Sequence, residues 1–171
     1  MSDFFLTTVL TFDASVRICV PLIFASMAGL FAERSGVVDI GLEGKLLMSA
    51  FIAASAASVF GSPWLGLIAG MFASSVLAMI HGFASITYKG NQIVSGVAIN
   101  ILASGLTMIL TLAWFKRGGI TPTLQNDERF LSITLPGVDI IDHIPIIGVI
   151  YRELISGHNI LVYLAFVIVP I

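Results

Sequence analysis

Two long tracts without a charged side chain limit what this chain can fold into. Residues 46–88 contain no Asp, Glu, Lys or Arg, and residues 90–115 contain none either. A helix needs about 20 apolar residues to cross the hydrocarbon core of a bilayer. The first tract is therefore long enough for two crossings and the second for one. Both runs are much longer than the alternating segments of about ten residues that build membrane barrels, so they predict helices.

The composition predicts an integral membrane protein with the lipid bilayer as its surroundings. Of the 171 residues, 57% are hydrophobic and 11% are charged, whereas a soluble domain carries about 25% charged residues. We predict an all-α fold, a polytopic transmembrane helical bundle of about four complete spans and a truncated one. The complete spans are predicted at residues 16–32, 44–60, 65–87 and 92–115.

The two ends of the chain and its one long loop are less regular. Residues 4–12 are apolar and read either as an interfacial segment or as the start of the first span. Residues 117–157 are enriched in polar residues and prolines, which exclude a long helix, so we predict an extramembrane loop with a short surface helix at 146–156. Residues 159–171 begin another apolar run that is too short to cross a bilayer untilted.

The segment between the first two spans, residues 33–45, concentrates charge in a chain that has little. Its glycines predict a turn or a half-unwound stretch that opens a helix. On a helix, Asp39 and Glu43 would share one face because they are four residues apart. Lys45 and Arg34 are near enough in sequence to neutralise them. Charged side chains at membrane depth mark either a pathway or a partner contact, so a structural ion-pair cluster and a solute-facing site both remain open.

The fourth predicted span carries a polar stripe. A polar face in lipid must turn toward protein or water, which allows either hydrogen bonding between helices or one face of a permeation cavity. His81 in the third span has the same two interpretations, a hydrogen bond to a neighbouring helix or a contact with a polar ligand. The residues of the stripe, spaced 4, 4, 4, 3 and 4 apart, are Gln92, Gly96, Asn100, Ser104, Thr107 and Thr111.

Several function classes lack their sequence signatures. The chain contains neither GxxxxGKS/T nor a GxGxxG after a strand, so we do not expect it to bind a nucleotide phosphate itself. Its three histidines have no metal-ligand spacing, and the cluster of Asp139, Asp142 and His143 is better explained as a solvated turn. No pairing of a nucleophile with a base is visible, and a net charge of −2 gives no basic surface for nucleic acid.

Two segments resemble motifs of one family of membrane proteins. Residues 33–44, ERSGVVDIGLEG, resemble the ERxGVxNIGxEG signature of ABC-transporter permeases in the branched-chain amino acid/simple-sugar superfamily. Residues 92–100, QIVSGVAIN, resemble the QxVSGxAxN segment of its nucleoside-importer branch, which works with a binding lipoprotein of the basic-membrane-protein type. The motifs occur in the family's order with matching spans between them. Asp39 stands where Asn is common in the family.

The resemblance implies a function and a set of partners. It implies a permease subunit of an ATP-driven importer in the bacterial cytoplasmic (inner) membrane, for nucleosides or similar small polar solutes. Its partners would be ATPase subunits, a second permease subunit and the binding lipoprotein. The chain itself would be no enzyme and would hold no cofactor, because ATP and Mg would bind the separate ATPase. Two alternatives are a channel or secondary-transporter half that works without an ATPase, and a truncated, non-functional remnant.

The resemblance also implies an organisation and a site. Residues 1–171 would form a single transmembrane permease domain, the N-terminal part of a longer permease, because the family's segment that docks on the ATPase comes later in the chain. The loop at 117–157 would be a candidate surface for the binding protein. By family and by spacing, the residues that we predict along the solute pathway are Asp39, Glu43, Gln92, Asn100, Ser104, Thr107 and His81.

Overall fold

The computed structural model describes residues 3–135 and 147–169, and these residues form a helical protein with four helices that are long and apolar enough to cross a membrane. The predicted all-α transmembrane bundle is confirmed. The helices are α1 (Asp3–Arg34), α2 (Leu42–Phe60), α3 (Pro63–Gly82, continued by a π-helical turn at Phe83–Thr87), α4 (Gln92–Phe115), α5 (Ile147–Ile150, continued by a π-helical turn at Tyr151–Ile155) and α6 (Ile160–Ile168).

Helix α1 is longer than the span predicted at 16–32. It runs without a break through residues 4–12 and past Asp13, so those residues are the start of the first span and not a separate interfacial segment. The charge at Asp13 does not stop the helix because Arg17, one turn later, pairs with it at 3.1 Å. Such pairs four residues apart stabilise a helix.

The chain folds as two compact units, and α1 contributes to both. One unit consists of residues 1–27 and 130–171, and the other of residues 28–129. The single domain predicted for residues 1–171 stays a prediction.

In the first unit, Val20 of α1 packs with Val162 and Ala165 of α6. The helix predicted at 146–156 corresponds to α5 within the described residues, whereas Asp139, Asp142 and His143 lie outside them.

The second unit is built on close packing of α2 against α3 and α4. Two glycines four residues apart on α3, Gly66 and Gly70, allow the backbones to approach. A Cβ added at Gly66 would lie 2.7 Å from the Ala53 carbonyl oxygen, and one at Gly70 would lie 2.9 Å from the Ser49 carbonyl oxygen. The apolar core of this unit is formed by Met48, Phe51, Leu77, Ile99 and Ala103.

Candidate functional site

The start of α2 is capped by a side chain from another helix. Its own N-cap residue, Gly41, supplies no side-chain hydrogen bond, although the first backbone N–H groups of a helix need acceptors. Asn100 of α4 fills this role, because its Oδ1 accepts from the Gly44 N–H at 2.7 Å. Its Nδ2 donates to the Ile40 carbonyl oxygen at 3.1 Å. Both ends of the Asn100 amide therefore bind the backbone around the start of α2.

Gln92, two turns earlier on α4, binds the same stretch of backbone. We call residues 36–44 the glycine segment. The Gln92 Oε1 accepts from the Val38 N–H at 2.7 Å, and its Nε2 donates to the Gly36 carbonyl oxygen at 3.5 Å. In the first half of the polar stripe on α4, the side-chain amides of Gln92 and Asn100 thus bind the backbone of the glycine segment.

The glycines of this region are needed because the glycine segment and α4 touch backbone to backbone. A Cβ added at Gly96 would lie 2.9 Å from the Gly41 nitrogen, and one at Gly44 would lie 2.8 Å from the Asn100 Cα. Real Cβ atoms do not approach other atoms this closely, so side chains at these positions would push the two elements apart. The segments that carry the two sequence motifs are therefore packed directly against each other.

An ionic cluster lies beside these two segments. The Asp39 carboxylate pairs through Oδ2 with the Lys45 ammonium, and its Oδ1 accepts from the Gly41 N–H at 3.1 Å. The Asp39 and Lys45 side chains are only 10% and 6% exposed. The His81 Nε2 lies 3.9 Å from the Asp39 Oδ1, and the His81 Nδ1 is hydrogen-bonded to the Ser95 Oγ at 3.0 Å. The cluster connects the glycine segment with α2, α3 and α4.

Two adjoining pockets open along the groove between α2 and α4 and share Leu47 and Ser104. The larger, of about 530 Å³, is lined by Glu43, Gly44, Leu47, Asn100, Ile101, Ser104 and Gly105. The smaller, of about 290 Å³, is lined by Leu47, Ala50, Phe51, Ser104, Thr107, Met108, Thr111, Gly119 and Thr121. We call the two together the α2–α4 groove.

Comparison with known proteins identifies the chain's family. The family model described as "Branched-chain amino acid transport system / permease component" matches residues 12–169. The chain belongs to this permease family. The family predicted from the two motifs is thereby confirmed. No solved structure matches the chain.

Two curated relatives of the chain are named as permease proteins of ABC transporters. It is similar to the guanosine ABC transporter permease protein NupQ of Bacillus subtilis, with 38% identity over 144 residues, which are 81% of this chain and 43% of that protein. It is also similar to the nucleoside ABC transporter permease protein NupC of Lactococcus lactis, with 33% identity over 137 residues, 77% of this chain and 41% of that protein. The chain spans less than half the length of either relative.

The structure distributes the seven predicted pathway residues of this permease-family chain over three places. Four of them, Glu43, Asn100, Ser104 and Thr107, line the α2–α4 groove. Gln92 binds the glycine segment. Asp39 and the buried His81 belong to the ionic cluster. Whether any of the seven contacts a solute stays a prediction.

One premise behind these predictions is wrong. Asp39 and Glu43 were expected to share a helical face, but α2 begins at Leu42 and leaves Asp39 in the preceding turn. Gly36 adopts a positive φ of 83°, and Gly41 lies against the Gly96 backbone, so the chain leaves the helical path before α2 begins. The two carboxylates therefore have different surroundings. The Asp39 carboxylate pairs with Lys45 and is only slightly exposed, whereas Glu43 is exposed at the groove.

Sequence reasoning did not single out Ser95, Leu47 or Gly105. Ser95 belongs to the QIVSGVAIN motif but lies off the polar stripe, and its contact with His81 shows what it binds. Leu47 contributes apolar surface to the groove, and Gly105 leaves space in it because it has no side chain. Nothing in their residue type separates them from the many other apolar positions of the spans.

Proposed function

We propose that this chain is a permease subunit of an ATP-driven importer for nucleosides or similar small polar solutes, and that the α2–α4 groove forms part of the solute's path. The observation that carries the proposal is the Glu43 carboxylate at this groove. Family membership and the names of the two relatives support the transport role.

Glu43 is suited to bind a neutral solute with several hydroxyl groups. Its carboxylate makes no hydrogen bond or ion pair with the described residues, and it lies in the first turn of α2, where the helix dipole favours negative charge. A carboxylate accepts hydrogen bonds only, so it fits the donor hydroxyls of a ribose or a hexose. The Ser104 hydroxyl, which also makes no hydrogen bond with the described residues, adds a second polar group to the same pocket.

The size of the groove agrees with this class of solute. Small-molecule sites are usually clefts of about 300–1,000 Å³ with mostly apolar walls and a few polar groups. The larger pocket, at about 530 Å³, combines Leu47 and Ile101 with the polar groups of Glu43, Asn100 and Ser104. Such a site holds a solute by shape and selects it by a few hydrogen bonds.

The importer would comprise partners outside this chain. ATPase subunits would bind ATP with Mg and drive the conformational cycle, a second permease subunit would complete the pathway, and a binding lipoprotein would deliver the solute. The assembly would lie in the bacterial cytoplasmic membrane. This chain would supply spans and solute contacts and carry out no bond chemistry.

Uptake in the native host tests the proposal. Variants are introduced at the chromosomal locus, and initial rates are measured with radiolabelled guanosine, uridine and glucose. We expect deletion of the gene to abolish uptake of at least one probe. Glu43→Gln should raise KM for that probe about tenfold, because a hydrogen bond to a charged acceptor contributes about 1.5–3 kcal/mol. The matched control is Glu33→Gln, at an exposed carboxylate that lines neither pocket.

Two results would contradict the proposal. Undiminished uptake of all three probes after gene deletion would refute the transport role. Equal KM values for Glu43→Gln, Glu33→Gln and wild type would refute the assignment of Glu43.

Occupancy of the groove can be measured separately by thiol labelling. Gly105 lines the larger pocket, and a Cβ added there meets nothing within 4 Å. A hydrophilic maleimide should label Gly105→Cys in a Cys19→Ala background, and saturating solute should slow the labelling severalfold. The control is Gly118→Cys, which is equally open but lines neither pocket. Solute protection at both positions, or at neither, would argue against binding in the groove.

A further inference from the structure

The ionic cluster and the groove lie on opposite sides of the first turn of α2. Glu43 and Lys45 are two positions apart, which on an α-helix places their side chains about 200° apart. Lys45 is 4% exposed and buried in the unit, whereas Glu43 is exposed at the groove. Anchoring Lys45 therefore fixes the rotation of the first turn of α2 and with it the direction of the Glu43 side chain.

Both carboxylate oxygens of Asp39 have a partner in the protein. Oδ2 pairs with Lys45, and Oδ1 accepts from the Gly41 N–H and faces His81. Its side chain is 10% exposed, and it is absent from the lining of both pockets. A solute could reach this carboxylate only by displacing Lys45, and the ammonium would then be buried without its counter-ion.

His81 connects the pair of Asp39 and Lys45 with α3 and α4. It is 2% exposed, and its Nδ1 bonds Ser95 of α4 while its Nε2, which makes no hydrogen bond with the described residues, faces Asp39. One polar chain thus runs from Lys45 of α2 through Asp39 of the glycine segment to His81 of α3 and Ser95 of α4.

We propose that Asp39, Lys45 and His81 are positioning residues that set the orientation of Glu43, and that none of the three contacts the solute. This inference rests on the proposed function for the meaning of Glu43, but its geometry can be tested without transport. Removing one member of a buried ion pair leaves an uncompensated charge, whereas removing both can be nearly neutral. The pair should therefore be replaceable as a pair and not singly.

The first test compares Lys45→Met with the double variant Asp39→Asn/Lys45→Met at the native locus. Lys45→Met should lower uptake of the transported probe at least tenfold, through a lower amount in the membrane or a higher KM. The double variant should reach wild-type abundance by immunoblot and bring KM back to within about threefold of wild type. The proposal is overturned if the double variant is present at wild-type abundance and still fails to transport a probe that the wild type takes up. That result would make Asp39 or Lys45 itself a solute contact.

The second test reads the orientation of residue 43 directly and needs no solute. In a Cys19→Ala background, Glu43→Cys is labelled with a hydrophilic maleimide in isolated membranes. Adding Lys45→Met should change the labelling rate at least fivefold, and adding Asp39→Asn as well should restore it. Labelling of Gly118→Cys should stay the same in all three backgrounds. Equal rates at residue 43 in all three would refute the positioning role, whether or not the chain transports any of the probes.

Discussion

At the scale of single residues, polar side chains that share one helical face do different work. Asn100 and Gln92 have both ends of their amides bound to backbone of the glycine segment. Ser104, one turn after Asn100 on the same face, has a hydroxyl that makes no hydrogen bond with the described residues. Among the polar side chains that line the larger pocket, Glu43 and Ser104 are those without a hydrogen bond to the described residues.

Asn100 should contribute more to stability than its neighbour on the stripe. Asn100→Leu leaves the N–H of the buried Gly44 without its partner, and an unpaired buried polar group costs about 1–3 kcal/mol. We expect a clear fall in the thermal unfolding temperature of the detergent-purified protein. Ser104→Ala, which breaks no hydrogen bond with the described residues, should leave the unfolding temperature near that of wild type. Equal stability of the two variants would mean that the cap at the start of α2 is dispensable.

Two glycines that line the larger pocket should respond in opposite ways to the same substitution. Ala is favoured over Gly in a helix interior by about 1 kcal/mol, so Gly105→Ala, in open space, should stabilise the protein slightly. Gly44→Ala places a Cβ 2.8 Å from the Asn100 Cα, and such overpacking costs about 1–3 kcal/mol. The measurement is the unfolding midpoint in denaturant for both variants. Stabilisation by Gly44→Ala would show that α2 and α4 can separate without cost.

At the scale of elements, sequence periodicity predicted some helix limits and packing faces and missed others. Helix α4 has the limits predicted for it, because Asn91 accepts hydrogen bonds from the Ile93 and Val94 N–H groups at its start and no charge follows until Lys116. Ala50, Ala54 and Ser58 recur every four residues, and this spacing predicts that they form the packing face of α2. The observed face is displaced from it by one residue. The glycines of α3 meet Ser49, Ala53 and Ala57 instead, and Ala50 is exposed at the groove.

Neither the packing face of α2 nor the partners of Asp39 could be predicted from the sequence, because both depend on how the helices pack against each other. Small residues occupy neighbouring rows on α2, and periodicity alone does not choose between them because any row of small residues permits close packing. The sequence did not determine the partners of Asp39 for a similar reason. Lys45 is near it in sequence, but the contact with His81 depends on how α3 packs beside the glycine segment, and a hydrophobic pattern does not encode that.

The contact between α2 and α3 should be the least tolerant of added side chains. A Cβ at Gly66 would meet the Ala53 carbonyl oxygen at 2.7 Å and the Ala57 Cβ at 2.9 Å. Backbone atoms do not move aside as a flexible side chain does, so Gly66→Ala should destabilise the protein by about 1–3 kcal/mol. Gly82→Ala on the same helix meets only the Ile86 Cδ1 at 4.0 Å and is the matched control. The expected result is a lower denaturant midpoint for Gly66→Ala alone; a loss of the same size in both variants would point to a general sensitivity of α3.

At the scale of the whole molecule, the order of the spans determines which connections share a side of the membrane. Helices α2, α3 and α4 follow one another with connections of a few residues, and each is long enough to cross once. The glycine segment and the connection between α3 and α4 must then lie on one side. The turn between α2 and α3 and the residues after α4 must lie on the other.

Four single cysteines in a Cys19→Ala background test this topology. Ser35→Cys and Tyr88→Cys report on one side, and Ser62→Cys and Gly118→Cys on the other. Ser62 is a suitable position because it makes no side-chain capping bond to α3. A membrane-impermeant maleimide added to intact cells should label one pair and not the other, and all four should be labelled after permeabilisation. If Ser35 and Tyr88 were labelled from opposite sides, at least one of α2 and α3 would not cross the membrane. If Ser62 were then labelled from the same side as Ser35, α2 would be the helix that does not cross, and the groove between α2 and α4 could not line a path through the bilayer.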